Sequence, residues 1–135
     1  MSVFAKLYFL MVNIDNKINE KELSLGRQMI SAEGFSETAF HNQLDKLRGT
    51  DSTAIYNECI KDIKKLTYKL QVRCIAWMCV IANSDGFMDR SEWQFIYKLY
   101  HKELNIPLDE IMKVQNELIR ITHPGAQAVQ RQASA

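Results

Sequence analysis

Two ten-residue stretches carry the clustered oxygen donors of this sequence. One reads Asn83-Ser84-Asp85-Gly86-Phe87-Met88-Asp89-Arg90-Ser91-Glu92, the other Asn13-Ile14-Asp15-Asn16-Lys17-Ile18-Asn19-Glu20-Lys21-Glu22. Asp85, Asp89 and Glu92 form one carboxylate set, and Asp15 with Glu22 a thinner one. Hard oxygens grouped in this way suit a divalent cation, Ca²⁺ or Mg²⁺. The spacing coincides with the second half of an EF-hand loop, with Asn83, Asp85, Gly86, Asp89 and Glu92 at its third, fifth, sixth, ninth and twelfth positions. The first position, normally aspartate, is Ile81 in one stretch and Met11 in the other. Without that ligand any site should be weak, on the order of 10⁻⁴–10⁻³ M.

The same residues have two other readings. Asn19 and Asp89 are good helix N-caps, and Glu22 and Glu92 stand three residues on, where a side chain reaches back to the cap N–H. Asn16 and Gly86 tolerate a left-handed turn. A helix stop, a turn and a capping box therefore explain the pattern without an ion, each cap contributing about 1 kcal/mol. Alternatively, the carboxylates could hold the metal of a hydrolase, which also requires an open coordination position and a general base; no residue is marked as that base.

These turns must be positioned by helices. Apolar residues recur at spacings of three and four, and no stretch alternates like a strand. The periodicity predicts helices over about 2–13, 19–32, 36–48, 51–66, 67–83, 89–101 and 107–121, with Gly34 and Gly49 as stops. The fifth is apolar on nearly all sides from Cys74 to Ala82 and should be enclosed by the others. Phe4 to Met29 lies on Cys74 to Leu99 without gaps at an offset of 70, and helices three and seven follow at nearly equal distances. The expected fold class is thus all-α: one domain of about seven helices over residues 1–123, in two pseudo-repeated three-helix units (about 2–48 and 67–121) joined by a linker helix (about 51–66). Residues 124–135 read as a loosely ordered tail.

At these residues the chain resembles the tellurite-resistance TerB-like family. Its mark is an apolar helix ending in alanine–aspartate–glycine, an aliphatic residue, and a glutamate opening the next helix. The run from Ile81 to Trp93 carries that pattern and Val12 to Leu23 a weaker version, with Asn16 for the glycine and Asn19 for the acid. The resemblance covers about Phe4 to Ile121. It implies an all-helical, internally duplicated domain, non-enzymatic and acting in interaction or scaffolding, with a link to stress responses. It also implies weak divalent-cation binding at Asp85, Asp89 and Glu92 and, more weakly, at Asp15 and Glu22.

Composition narrows the function further. The 135 residues include 17 basic and 16 acidic side chains, and a formal charge of +1 gives no global attraction to nucleic acid or anionic membrane. A protein partner is expected rather than nucleic acid, and no run approaches the ~18 apolar residues of a transmembrane span. Cys59, Cys74 and Cys79 lie on apolar helical stretches without CxxC spacing and read as reduced core residues of a cytoplasmic protein. The first residues lack the basic and apolar regions of a signal peptide. His41, His101 and His123 are scattered, which argues against a zinc site or histidine catalysis. Lys61, Lys64, Lys65, Lys69 and Arg73 read as a solvated face, the alternative being a patch for phosphates or acids. Trp77, Trp93, Tyr97 and Tyr100 read as core, any exposed subset making a partner surface.

Overall fold

The computed structural model describes residues 2–14, 20–84 and 89–122, and among these every regular element is a helix. In chain order they are α1 (Ser2–Val12), α2 (Glu20–Ala32), α3 (Glu37–Leu47), α4 (Ser52–Lys64), α5 (Tyr68–Ala82), α6 (Arg90–Tyr97) and α7 (Leu108–Thr122). Between α6 and α7 the chain continues without a break as a π-helical segment, Lys98–Glu103.

The helix starts follow from local chemistry. Ser36, Asp51 and Thr67 each accept a hydrogen bond from the N–H three residues on, at 3.3, 3.2 and 3.3 Å. Each thereby satisfies an N–H that the first helical turn leaves without a partner. After α2 the chain reverses through Gly34 at φ +76, with Phe35 N–H donating to the Ile30 carbonyl at 2.9 Å. Only glycine takes that backbone without a Cβ penalty.

Helix α5 is the axis of the bundle. Val72 and every residue from Cys74 to Ala82 are buried, as the all-round apolar pattern required. It packs on α7, α2, α1 and α6, while α1 packs on α4 and α3. The Gln71 amide donates to the Ile63 carbonyl at 3.0 Å and ties α4 to α5. Not every apolar side chain is enclosed: Leu10 is half-buried and Leu23 is exposed, as is Trp93, which was expected in the core.

The π-helical segment is the main departure from the predicted pattern, which has a regular helix over 89–101. Into the start of this segment, buried positions in the two halves stand 70 apart, as with Met11 and Ile81 or Met29 and Leu99. Beyond it they stand 71 apart. Gly34 and Asn105 (φ 54) are the two left-handed residues among those described, and Phe40 of α3 corresponds to Ile111 of α7, both buried. A π-turn widens the i→i−4 ladder by one residue. The wide turn thus takes up one extra residue while α7 keeps its apolar face on α5.

Candidate functional site

The two acidic turns begin where α1 and α5 end and finish where α2 and α6 begin. Asp15 and Asp85, and with them Asn16, Ile18, Asn19, Gly86 and Met88, lie outside the described residues. The flanks are described. Asp89 is the N-cap of α6, and its Oδ2 accepts from Ser91 N–H at 3.0 Å. The cap predicted at this position is therefore present, with one carboxylate oxygen engaged by the backbone.

Glu22 and Glu92 occupy the first turns of α2 and α6 and are only 6% and 7% exposed, among the few buried polar residues of the molecule. By contrast Glu20, at the start of α2, and Glu37, at the start of α3, are exposed. Burying a carboxylate is costly unless the surroundings satisfy it, so its occurrence at matched positions in both halves marks a shared local design. Buried apolar residues follow each acid at helical spacing: Leu25 and Met29 after Glu22, Ile96 and Leu99 after Glu92.

Tyr8 packs against the start of α2. Its hydroxyl donates to the Glu22 carbonyl at 3.3 Å, and its ring packs on Phe40 with centroids 5.4 Å apart. Burial first, and the Glu22 carboxylate second, push the phenol pKa up to about 12. The ring edge abuts α2 at Gly26, where a Cβ would come within 2.6 Å of it. The corresponding positions in the second half hold Met78 and Ile96, both fully buried. The first half thus combines a large side chain with glycine where the second combines two of intermediate size.

A cleft of about 360 Å³ joins the flanks of the two turns. Its walls are Lys21, Ser24, Leu25 and Gln28 of α2, Ser84 just after α5, and Thr122 at the end of α7. The fold therefore brings the start of α2 and the exit of α5 to one opening. Among the described residues, no group of three or more histidine, cysteine or acidic side chains converges as a metal-binding cluster.

Two charged networks were not read from the sequence. Lys6, on the apolar helix α1, is 5% exposed, and its ammonium donates to Glu58 at 2.8 Å and Asp62 at 2.9 Å across α4. The burial itself would lower the pKa of Lys6, but the two carboxylates outweigh it and hold the ammonium above its ordinary value. A lone charge inside an apolar helix was the available signal. The second network centres on Glu33, whose carboxylate is 7% exposed. It accepts from Arg73 Nε at 2.7 and 2.8 Å and from the Trp77 indole at 3.1 Å. Arg73 therefore leaves the solvated basic face assigned to it and acts as a clamp between the end of α2 and α5, while Lys61, Lys64, Lys65 and Lys69 are exposed as expected.

The aromatic group divides. Trp77 and Tyr100 are buried, whereas Trp93 and Tyr97 are each 37% exposed and pack on one another with centroids 6.3 Å apart. His101 stacks on Tyr97 at 4.7 Å, and His41 lies on the surface near Glu37. All three cysteines are free and buried. Burial raises each thiol pKa to about 12, so none is a nucleophile in the native fold. No helix among the described residues is long and apolar enough to cross a membrane.

Comparison with known proteins gives one positive result. No curated protein and no solved structure matches the chain. The family model described as tellurite resistance protein TerB matches residues 2–116, from the first turn of α1 well into α7 and across both acidic turns. With an all-helical fold and a match over most of its length, the chain belongs to the TerB family.

Proposed function

We propose that this chain is a non-enzymatic TerB-like interaction domain of the cytoplasm whose acidic helix junctions hold a divalent cation, Ca²⁺ or Mg²⁺, with low affinity. Asp85, Asp89 and Glu92 make the stronger ligand set and Asp15 with Glu22 the weaker. The observation that carries this reading is the matched burial of Glu22 and Glu92 at the mouths of the two turns. An acid kept from solvent in both halves has to be matched by donors or positive charge there. Asp89 keeps one oxygen on the α6 N-terminus, which leaves its other oxygen to contribute to an ion. The buried, free thiols support a reducing compartment.

The test is thermal unfolding of the chain in rising Ca²⁺, Mg²⁺, Mn²⁺ or Zn²⁺, alongside Asp85→Asn/Glu92→Gln and Asp15→Asn/Glu22→Gln. An ion bound only by the native state at ten times its dissociation constant stabilises by about 1.4 kcal/mol. The first pair of substitutions is expected to abolish most of that gain and the second pair little of it. A melting temperature indifferent to ion at millimolar concentrations would end the cation reading and leave the carboxylates as helix caps.

A further inference from the structure

The corner between α4 and α5 has an uneven charge distribution. Lys61 and Lys64 in the last turn of α4, Lys65 at its C-cap and Lys69 in the first turn of α5 are all exposed. The nearby acids Glu58 and Asp62 are bound to Lys6, and Glu33 is bound to Arg73. The four lysines thus form no ion pair among the described residues. The internal networks engage these acids, one negative charge of the Lys6 trio remaining, and the four lysines leave the corner positive on a chain whose net charge is only +1.

A cavity of about 380 Å³ opens at the same corner. It falls within the ~300–1,000 Å³ of ordinary ligand clefts. Lys65 stands at its rim, and Val3, Phe4, Phe35, Leu66 and Leu70 supply apolar wall. Phe4 and Phe35 meet edge to face at 5.5 Å, which fixes one side. Leu70 is 38% exposed and the neighbouring Tyr68 50%. Glu33 and Asp62 also border the cavity, Glu33 paired with Arg73 and Asp62 sharing Lys6 with Glu58.

We infer that this corner docks an acidic segment of a partner protein, one bulky apolar side chain entering the cavity and flanking carboxylates meeting Lys61, Lys64, Lys65 and Lys69. Charge complementarity selects the acids and the recessed apolar wall selects the anchor. A recessed wall accepts a side chain, whereas an anionic bilayer engages apolar groups that protrude. The inference deepens the interaction-domain reading and rests on it, but it uses none of the residues of the acidic turns.

The experiment is fluorescence anisotropy of the full chain with a labelled peptide in which phenylalanine is flanked on both sides by aspartate and glutamate. Saturable binding that weakens with added salt is expected. Lys64→Glu/Lys65→Glu, the milder Lys64→Gln/Lys65→Gln, and Leu70→Gln should each weaken it, the charge reversal by roughly tenfold or more, while circular dichroism shows an intact fold. Replacing the peptide phenylalanine by glycine should weaken it comparably. Absence of saturation, equal affinity of the lysine variants, or equal affinity of the glycine peptide would overturn the inference. So would binding to phosphatidylserine vesicles with no binding to the peptide. An ion-dependent rise in melting temperature in a sample that ignores the peptide would overturn the docking corner and leave the acidic turns standing.

Discussion

Gly26→Ala tests the packing of Tyr8 of α1 against α2. In an exposed helix the substitution would stabilise by up to about 1 kcal/mol, because alanine is the better helix former. Here the new Cβ would lie 2.6 Å from Tyr8 Cε1 and 2.8 Å from Cζ. The ring cannot swing away freely, since Phe40 packs on it and its hydroxyl is tied to the Glu22 carbonyl. Overfilling a closed core costs typically ~1–3 kcal/mol, which offsets the helix-propensity gain, so a net loss of up to about 2 kcal/mol is expected. Urea unfolding followed by circular dichroism measures it. The clash predicts strong coupling: Tyr8→Met/Gly26→Ile, which installs the pair found at Met78 and Ile96, should be markedly more stable than the sum of its single substitutions. Greater stability of Gly26→Ala than of the parent, or strictly additive costs in the double variant, would refute the reasoning.

Other substitutions separate the roles of the charged groups. Asp89→Ala removes the bond to Ser91 N–H and should cost about 1 kcal/mol by chemical denaturation. Asp89→Asn should keep most of that cap while losing any stabilisation by added cation, which separates capping from ion binding. Glu33→Gln weakens the clamp on Arg73 and Trp77 and should cost roughly 1.5–3 kcal/mol, with a change in Trp77 fluorescence. The pH dependence has a definite sign. Cys59, Cys74 and Cys79 have pKa values near 12 in the fold against an ordinary 9.0, so unfolded thiols ionise first. Their contribution is complete below pH ~9 and is lost as pH rises toward ~12. Lys6, also raised, adds a loss above its ordinary 10.5. A stability that held constant to pH 12 would contradict this. A disulfide reagent such as Ellman's should accordingly leave native thiols unmodified near pH 8 and label them on unfolding.

Helix positions and their stops were legible because their causes are local. The hydroxyls and carboxylates of Ser36, Asp51, Thr67 and Asp89 cap helices within three residues of themselves. Gly34 takes the left-handed turn that its position announced. The apolar run from Cys74 to Ala82 could be satisfied only by enclosure. The acidic turns could be located, but whether they bind an ion depends on where several oxygens meet in space. The burial of Glu22 and Glu92 was equally inaccessible, since a capping glutamate can lie outside or inside the helix pair.

Local pattern by itself determined the all-helical class, the helix junctions and the family resemblance, because 3.6-residue periodicity and capping act over a turn or two. Tertiary structure decided which charges are spent internally. Lys6 meets acids 52 and 56 residues away, and Glu33 meets Arg73 and Trp77 at separations of 40 and 44. No spacing along the chain encodes such pairings. They arise when helices dock and water leaves, and the same docking leaves the four lysines of the α4–α5 corner without an ion pair among the described residues.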